Sequence, residues 1–208
     1  MKKKTIIADL TQNDQKKFMV KTQERLTLVL IALGNAESSV EVNLVEAGAQ
    51  ADIYGIVIGA NSNTPALHTY QNHLAPQTTS NLLVKSALFE RSRFSYEGYI
   101  RVHKKAQHAD AYQRNENLML SPEAKADSKP ALEILANDVR CTHSATVGKV
   151  DEEQLFYLRS RGISRKRAYE LLIEGFYTPI FEKIGDDLMV KRIRKVLDKQ
   201  LLTMIHGI

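Results

Sequence analysis

From Thr5 to Leu120 the chain is a succession of short apolar or alternating segments. Leu26–Leu33 is almost continuously apolar, Val40–Val45 alternates apolar and polar positions, and Asp52–Ile58 and Phe94–Val102 are similar. Runs of this length and period predict β-strands, and no long helical pattern interrupts them. Many short strands in succession are typical of a sandwich, a barrel or a β-solenoid.

Two faint internal matches bear on the choice among these folds. Gly48–Tyr54 resembles Lys105–Tyr112 with one inserted residue, and the triplet Tyr54-Gly-Ile resembles Gly98-Tyr-Ile. Such spacing is typical of a solenoid in which one or two coils separate equivalent corners. Small residues also recur at tight turns in any β protein, so both interpretations stay open.

After Val150 the apolar positions change to a period of 3.6 residues, which predicts helices. Asp151 and Gln154 are placed as a capping box ahead of the first helix, and Gly162 is expected to end it. We therefore divide the chain into a β body, residues 1–150, and a C-terminal helical tail, residues 151–208.

Two further helices are predicted within this tail. Ser164 is a suitable N-cap for the second helix, and Gly175 is expected to lie at its C-terminal end. The third helix should start at about Asp187. It carries one i, i+4 row of apolar residues that should pack on a core or a partner, namely Ile193, Leu197, Leu201 and Ile205.

Composition and charge narrow the class of protein. The 208 residues suffice for one substantial core, and the net charge is +5. The basic excess lies mainly at Lys2–Lys4 and in residues 191–195. Residues 191–195 resemble the polar face of a helix rather than a nucleic-acid site. No apolar run approaches the ~20 residues that span a bilayer, and Asp9 interrupts any secretory segment. We expect a cytoplasmic protein with neither nucleic acid nor membrane as partner.

Familiar catalytic and nucleotide-binding motifs are missing. The sequence contains no Gly-x-x-x-x-Gly-Lys-Ser/Thr loop, no Gly-x-Gly-x-x-Gly, no His-Glu-x-x-His and no Gly-x-Ser-x-Gly. We therefore expect neither an enzyme nor a nucleotide-binding chain. His68 and His73 flank a predicted loop, Ala66–Ser80, and His103 and His108 border a turn. Single histidines near turns are more often surface residues than ligands.

The most informative chemistry lies at Cys141, the only cysteine, and at His143. Residues i and i+2 of a strand point to the same face, so the thiol and the imidazole would project side by side. Such a pair could hold iron, zinc or a sulfur atom. Two ligands are too few for a metal site, so the others would have to come from a second chain or from the substrate. The alternative is a buried cysteine that acts as a small hydrophobe.

Several spaced motifs resemble the SufB/SufD family of iron–sulfur cluster assembly proteins. The matches to its β-helical core are His73–Ser80, Leu82–Leu88, Gly98–Val102, Ala106-Gln, Ala111–Ser121 and Lys129–Ile134. Asp138–Gly148 and Leu155–Ile163 resemble the end of that core and the helical tail. The resemblance is strongest from about His68 to Phe176.

The resemblance implies a fold and a set of partners. The fold would be a right-handed parallel β-helix followed by a small helical tail. Its edge would pair with a SufB-like subunit or with a second copy of the chain. The C-terminal helices, from Asp151 to Ile184, would dock a SufC-like ABC ATPase that carries the nucleotide chemistry.

Within the family, the Cys-x-His form resembles SufD. SufB-like chains place a sulfur-accepting cysteine in the region that matches Asn115–Leu118, which has none here. Cys141 and His143 would instead be ligands of a transient iron–sulfur cluster shared with a partner chain. The chain departs from the family pattern at Ser144 and Asn137, and it resembles a short SufD without the N-terminal helical domain. We expect a non-catalytic scaffold subunit; the alternative is a structural paralogue that forms a homodimer without a cluster role.

Overall fold

The computed structural model describes residues 2–204, with side chains as far as Asp198. These residues form eleven strands followed by three helices. The strands are β1 (Lys2–Asp9), β2 (Asp14–Val20), β3 (Glu24–Leu33), β4 (Glu37–Leu44), β5 (Gln50–Gly59), β6 (Ala66–His73), β7 (Thr79–Leu88), β8 (Arg93–Val102), β9 (Asp110–Met119), β10 (Lys125–Ile134) and β11 (Arg140–Lys149). The helices are α1 (Glu152–Ser160), α2 (Arg165–Ile184) and α3 (Asp187–Met204).

Successive strands alternate between two parallel sheets. The first sheet has the order β1-β3-β5-β7-β9-β11, and the second has the order β10-β8-β6-β4-β2. Each coil thus contributes one strand to each sheet, which is the architecture of a β-helix. The predicted β-solenoid is confirmed, and so are the four predicted strands, which correspond to β3, β4, β5 and β8.

Equivalent corners of successive coils use the same backbone conformation. Gly48, Gln77 and His108 all have positive φ, at 74°, 57° and 60°. They stack, because the Gly48 amide donates to the Pro76 carbonyl and the Gln77 amide donates to the Gln107 carbonyl. A left-handed residue at each such corner reverses the chain within a few residues.

The internal matches found in the sequence were displaced from the true repeat. The register pairs Ala51 with Ser80, and Ser80 with Ala111. The structural equivalents therefore lie two residues beyond those that the sequence match aligned. Tyr54 and Gly98 belong to different sheets, so their resemblance is not a repeat.

The interior of the β-helix changes character along its axis. In the first coils the inward positions of β3, β4 and β5 are mostly aliphatic and include Leu28, Val42 and Ile53. From β6 onward, inward positions include buried polar residues: Thr69, Gln71, His73, Ser80, Ser86, Gln113, Asn115 and Asn117. The sequence analysis did not predict this change.

The chain divides into two compact units, Met1–Gly148 and Lys149–Ile208, and the second contains the helices. The Asp151 carboxylate caps α1 by accepting from the amides of Glu153 and Gln154, and Gly162 follows the helix with φ of 83°. The Ser164 hydroxyl caps α2 by accepting from the Arg167 amide. These predicted helix boundaries are confirmed.

The prediction that Gly175 ends the second helix was wrong. Helix α2 continues through Gly175 and Pro179 and stops before Gly185, which has φ of 64°. A glycine within a helix costs only ~1 kcal/mol, and here the buried side chains of Ile173 and Ile180 lie on either side of it. Their burial offsets the two poor helix formers.

Helix α3 starts at Asp187, as predicted. Two members of its predicted apolar row, Ile193 and Leu197, are buried. The side chain of Leu201 and the whole of Ile205 lie outside the described residues. Among the described helices, none combines the length and the apolar character that a bilayer span requires.

Candidate functional site

The last strand, β11, carries both residues of the predicted site. It pairs with β9 on one side and is the outermost strand of its sheet among the described residues. Its start is anchored twice: the Arg140 amide donates to the Ala109 carbonyl at 2.9 Å, and the Arg140 Nε donates to the Asp110 carboxylate at 3.0 Å. Cys141 and His143 follow this anchor and share one face of the strand, as predicted.

Cys141 is half-buried against a small apolar cluster. The cluster consists of Ile100, Val102, Ala106, Ala109, Ala111 and Ala136. Burial raises the pKa of the Cys141 thiol, the Asp110 carboxylate raises it further, and a hydrogen bond with the Ala111 backbone partly offsets both effects. The thiol is therefore protonated at neutral pH, and a metal ion bound to the sulfur would favour its ionised form.

His143 is exposed, in contrast to Cys141. In the part of the chain that the structure describes, no group of three or more histidine, cysteine, aspartate or glutamate side chains is placed to hold a metal ion. The chain by itself therefore brings one sulfur and one nitrogen donor to this face. A four-coordinate site would need two further donors from elsewhere.

The backbone of β11 offers a free hydrogen-bonding edge. Successive residues of a strand direct their N–H and C=O groups to opposite sides, and the Arg140 amide faces β9. The N–H and C=O groups of Cys141, His143, Ala145 and Val147 therefore face away from β9. No residue between Cys141 and Gly148 is charged and none is proline, so nothing in the sequence blocks an added strand.

The outer edge of β10 is less suited to pairing. The Lys125 amide donates to Ser92 and the Leu135 amide donates to Val102, so odd-numbered residues face β8. Pro130 consequently lies on the free side, where it has no N–H to donate. This proline interrupts the edge at the middle of the strand.

The edges at the other end of the β-helix carry lysines. Lys2, Lys3 and Lys4 lie in β1, and Lys16 and Lys17 lie in β2. Charged side chains on an outermost strand oppose the addition of another strand, since they would have to be brought together and desolvated. Among the four outermost strands described, β11 is thus the one most open to a partner strand.

A polar network lies inside the last coils, next to β11. The Ser86 hydroxyl donates to Asn117 Oδ1 at 2.7 Å, and Asn117 Nδ2 donates to Asn115 Oδ1 at 2.8 Å. Asn117 also donates to the Thr146 carbonyl of β11 at 3.2 Å, which ties the last strand to the interior. These residues were missed, although the period-two spacing of Gln113, Asn115 and Asn117 was a signal that they share the inward face.

A glycine makes room for this interior. A Cβ atom at Gly98 would collide with the Gln113 side chain and the Tyr96 hydroxyl. Gln113 Nε2 donates to the Gly98 carbonyl at 3.3 Å, and the Tyr96 hydroxyl is 2.8 Å from that of Thr69. The close approach explains why no side chain fits at position 98.

The interpretation of His73 as a surface residue near a loop was wrong. His73 ends strand β6 and is fully buried. The Thr78 hydroxyl donates to the Ala75 carbonyl at 3.0 Å, so it accepts from His73 Nδ1–H at 2.8 Å, and the Ser80 hydroxyl donates to Nε2 at 2.8 Å. Burial lowers the pKa of His73 to about 4. The imidazole is a neutral member of the interior, not a ligand.

Two of the other histidines, His68 and His108, contact carboxylates rather than Cys141. His68 stands on β6 between Glu37 and Glu97, with ring nitrogens 3.4 Å and 3.3 Å from their carboxylates. His108 lies at a corner with Nδ1 3.0 Å from Asp138. His103 is exposed in the turn after β8.

The model of the family described as SUF system FeS cluster assembly, SufBD core domain, matches residues 7–176. The chain belongs to this SufBD family. The match covers the β-helix from β1 onward and continues into α2, so it includes β11 with Cys141 and His143.

Individual SufBD relatives agree with this assignment. The chain is 35% identical to the iron-sulfur cluster assembly protein SufD of Escherichia coli K12 over 133 residues, which are 64% of this chain and 31% of that protein. It is 30% identical over 168 residues to SufD of Bacillus subtilis 168, covering 81% and 38% of the two chains. A SufBD family protein of Synechocystis, slr0076, is 30% identical over 175 residues, covering 83% and 39%. The chain spans less than half the length of these relatives.

Proposed function

We propose that this chain is a non-catalytic scaffold subunit in the assembly of iron–sulfur clusters. The observation that carries the proposal is the Cys-x-His pair, Cys141 and His143, on the free-edged last strand of a SufBD β-helix. The relatives with the same core are named as iron–sulfur cluster assembly proteins, two of them as SufD. The cluster is the cargo of the complex.

The partner at this edge is a SufB-like subunit that adds a strand to β11. The free N–H and C=O groups of Cys141, His143, Ala145 and Val147 supply the backbone hydrogen bonds of the added strand. Pairing there brings partner side chains next to the inward face of β11. These side chains complete the ligand set that two donors cannot fill.

The two residues have different parts in holding the cargo. The Cys141 thiol must lose its proton when iron binds, and the apolar cluster behind it keeps the neutral form until then. His143 supplies a nitrogen donor from the exposed part of the same face. Arg140 pairs with Asp110, the carboxylate that helps to raise the pKa of the Cys141 thiol.

A SufC-like ABC ATPase docks on the helical unit, within Asp151–Ile184. This part of the proposal rests on the family, whose matched region extends into α2. Nucleotide binding and hydrolysis belong to that partner. Closure of two such ATPases would move the paired subunits relative to each other and expose the cluster.

Cluster loading after anaerobic co-expression with the SufB-like and SufC-like proteins tests the proposal. We expect Cys141→Ala and His143→Ala to retain the complex but to lose most of its iron and sulfide. Thr142→Ala is the matched control, since Thr142 lies between them and points to the other face. Wild-type iron and sulfide contents in both variants would refute the role of the pair.

A homodimer without a cluster role is the second candidate. It is favoured by the packing of Cys141 on an apolar cluster, since a cysteine held in this way is usually inert. A second copy could cover the free edge of β11 equally well. Thiol labelling of the complex separates the two: protection of Cys141 only with bound cluster supports the scaffold, and equal labelling with and without partners supports the structural role.

A further inference from the structure

The N-terminal end of the β-helix leaves part of its apolar interior open. A cavity of about 350 Å³ lies there, and its apolar lining includes Ile6 of β1, Phe18 of β2 and Leu26 of β3. Ile6 and Phe18 pack against the aliphatic core but are only partly buried. Met19, which also lines the cavity, is 55% exposed. The hydrophobic core is therefore accessible from this end of the described β-helix.

Two lysine side chains stand at this cavity without a counter-charge. Lys4 lies two residues before Ile6 on β1, so both side chains share the inward face, and Lys21 follows β2. Among the described residues neither ammonium group has an ion-pair partner, whereas that of Lys17, a third lining residue, lies 3.1 Å from Glu41. We call the apolar lining together with Lys4 and Lys21 the N-terminal mouth.

The acidic residue in the lining does not neutralise these lysines. The Glu24 carboxylate accepts from the backbone amide of Lys21 at 3.0 Å, so it holds the turn after β2. The lining carries three lysines and this one carboxylate. The N-terminal mouth is therefore electropositive above an apolar floor, and it favours an anion that also has an apolar part.

A strand, a second copy or a helix fits the N-terminal mouth poorly. Lys2 and Lys3 lie in β1 and Lys16 lies in β2, and both strands are outermost in their sheets. An added strand would desolvate these charges, and a second copy would bring two electropositive mouths together. One turn of an α-helix, about 10 Å across and about 5.4 Å long, already exceeds the cavity. The occupant that fits is a slender small molecule.

We propose that the N-terminal mouth binds one fatty acid of medium chain length. Its alkyl chain lies against Ile6, Phe18 and Leu26, and its carboxylate meets the ammonium groups of Lys4 and Lys21. Ligand sites have volumes of about 300–1,000 Å³, and this cavity is at the small end of that range, which selects against long chains. The site lies at the opposite end of the sheet from β11, so it is independent of the proposed cluster site.

Isothermal titration calorimetry of the full chain with decanoate, below the concentration at which decanoate forms micelles, tests the proposal. We expect one decanoate to bind per chain. Octanoate should bind about tenfold more weakly, because each methylene withdrawn from water strengthens binding about fourfold. Decylammonium has the same chain and the opposite charge, and it should bind at least about tenfold more weakly than decanoate.

Charge reversal at two neighbouring lysines locates the ligand. Lys4→Glu should weaken decanoate binding about tenfold at low salt and less at high salt, because a cation at the mouth is replaced by an anion. Lys3→Glu is the matched control, since Lys3 points to the other face of β1 and the net charge changes equally. It should bind decanoate like the wild type. Both lysines are exposed, so neither substitution should unfold the β-helix.

The outcomes of these titrations either support or overturn the fatty-acid site. Saturable binding of one decanoate that depends on position 4 but not on position 3 supports it. Absence of binding by the wild type, or equal affinities of the two variants, overturns it. Equal affinities for decanoate and decylammonium, or many decanoate molecules bound per chain, also overturn it. Co-sedimentation with phosphatidylglycerol vesicles without affinity for free decanoate would replace the fatty acid by a lipid surface.

Discussion

At the N-terminal end of the β-helix the interior is filled mainly by aliphatic side chains, whereas at the C-terminal end many inward positions carry amides and hydroxyls. Leu28 and Ile53 represent the first kind, and Gln113 and Asn117 represent the second. The outermost strands of the two ends also differ, in the charge of their edges. Lysines cover the edges of β1 and β2, while β11 has an uncharged edge between Cys141 and Gly148.

We interpret the N-terminal coils as the part that stabilises the fold and the C-terminal coils as the part that binds a partner. Aliphatic burial contributes ~25 cal/mol per Å², so we expect each of the first coils to contribute more to the free energy of folding than each of the last coils. A buried hydrogen bond contributes less, and an unpaired amide costs free energy. Gln71 Oε1 in the polar part has no partner among the described residues. We therefore expect the last coils to be less stable than the first, and a partner strand on β11 to stabilise them.

The largest effect is expected from emptying the aliphatic interior. Ile53→Ala should lower the free energy of unfolding by about 2–5 kcal/mol, because it removes a fully buried side chain and leaves a cavity. Val147→Ala on β11 should change it by less than about 0.5 kcal/mol, since Val147 is 60% exposed. Urea denaturation measures both. Equal losses of unfolding free energy in the two variants would contradict this expectation. If the Ile53→Ala variant does not fold, Ile53→Val replaces it.

Acid should weaken the C-terminal half through His73. Its pKa is about 4 in the folded state and near 6.5 when unfolded, so the unfolded chain binds more protons between these values. The stability due to the neutral imidazole is complete above pH 6.5 and is lost as the pH falls to 4, by about 3 kcal/mol. Urea denaturation from pH 7 to 4 should show this loss, and His73→Gln should remove it. Parallel pH profiles of the two proteins would contradict the buried neutral state.

A smaller loss of stability is expected from a substitution at Gly98, where the polar interior is tightly packed. Gly98→Ala places a Cβ against Gln113 and the Tyr96 hydroxyl, which should cost about 1–3 kcal/mol. Gly148→Ala on β11 is the matched control, since a Cβ there meets nothing within 4 Å. Thermal unfolding compares the two. A neutral Gly98→Ala variant would show that the interior around Gln113 can rearrange.

The smallest effect on stability, but a large one on assembly, is expected from blocking the free edge. Ala145→Pro removes an N–H that faces away from β9, so the ladder to β9 stays and unfolding should change by less than about 1 kcal/mol. Association with the SufB-like subunit should weaken at least about tenfold. Ala145→Thr keeps the N–H and is the control. Sedimentation analysis giving equal association for both would place the partner on another edge.

Much of the fold could be predicted from local patterns. The strands near Leu26, Val40, Asp52 and Phe94 followed from period-two alternation. The caps at Asp151 and Ser164 followed from the chemistry of a side chain that accepts from nearby amides. These features depend on neighbours within a few residues, which the sequence displays directly.

The predictions that failed depended on tertiary contacts and burial, which the local pattern does not display. The repeat was displaced by two residues, because the register of Ala51, Ser80 and Ala111 depends on hydrogen bonds between coils. Helix α2 continues past Gly175 because the burial of Ile173 and Ile180 outweighs the local preference of glycine. His73 was placed on the surface because its hydroxyl partners, Thr78 and Ser80, are brought to it by a corner of the solenoid.

That Cys141 and His143 share a face could be predicted without a structure, because it requires only the alternation of side chains along one strand. The sequence also carried the spaced motifs of the SufBD core. The three-dimensional fold was needed to show that this strand is outermost, which of its amides face outward, and that Pro130 interrupts the neighbouring edge. Those properties depend on which strands pair and in what register, and pairing joins residues roughly one coil apart in the chain.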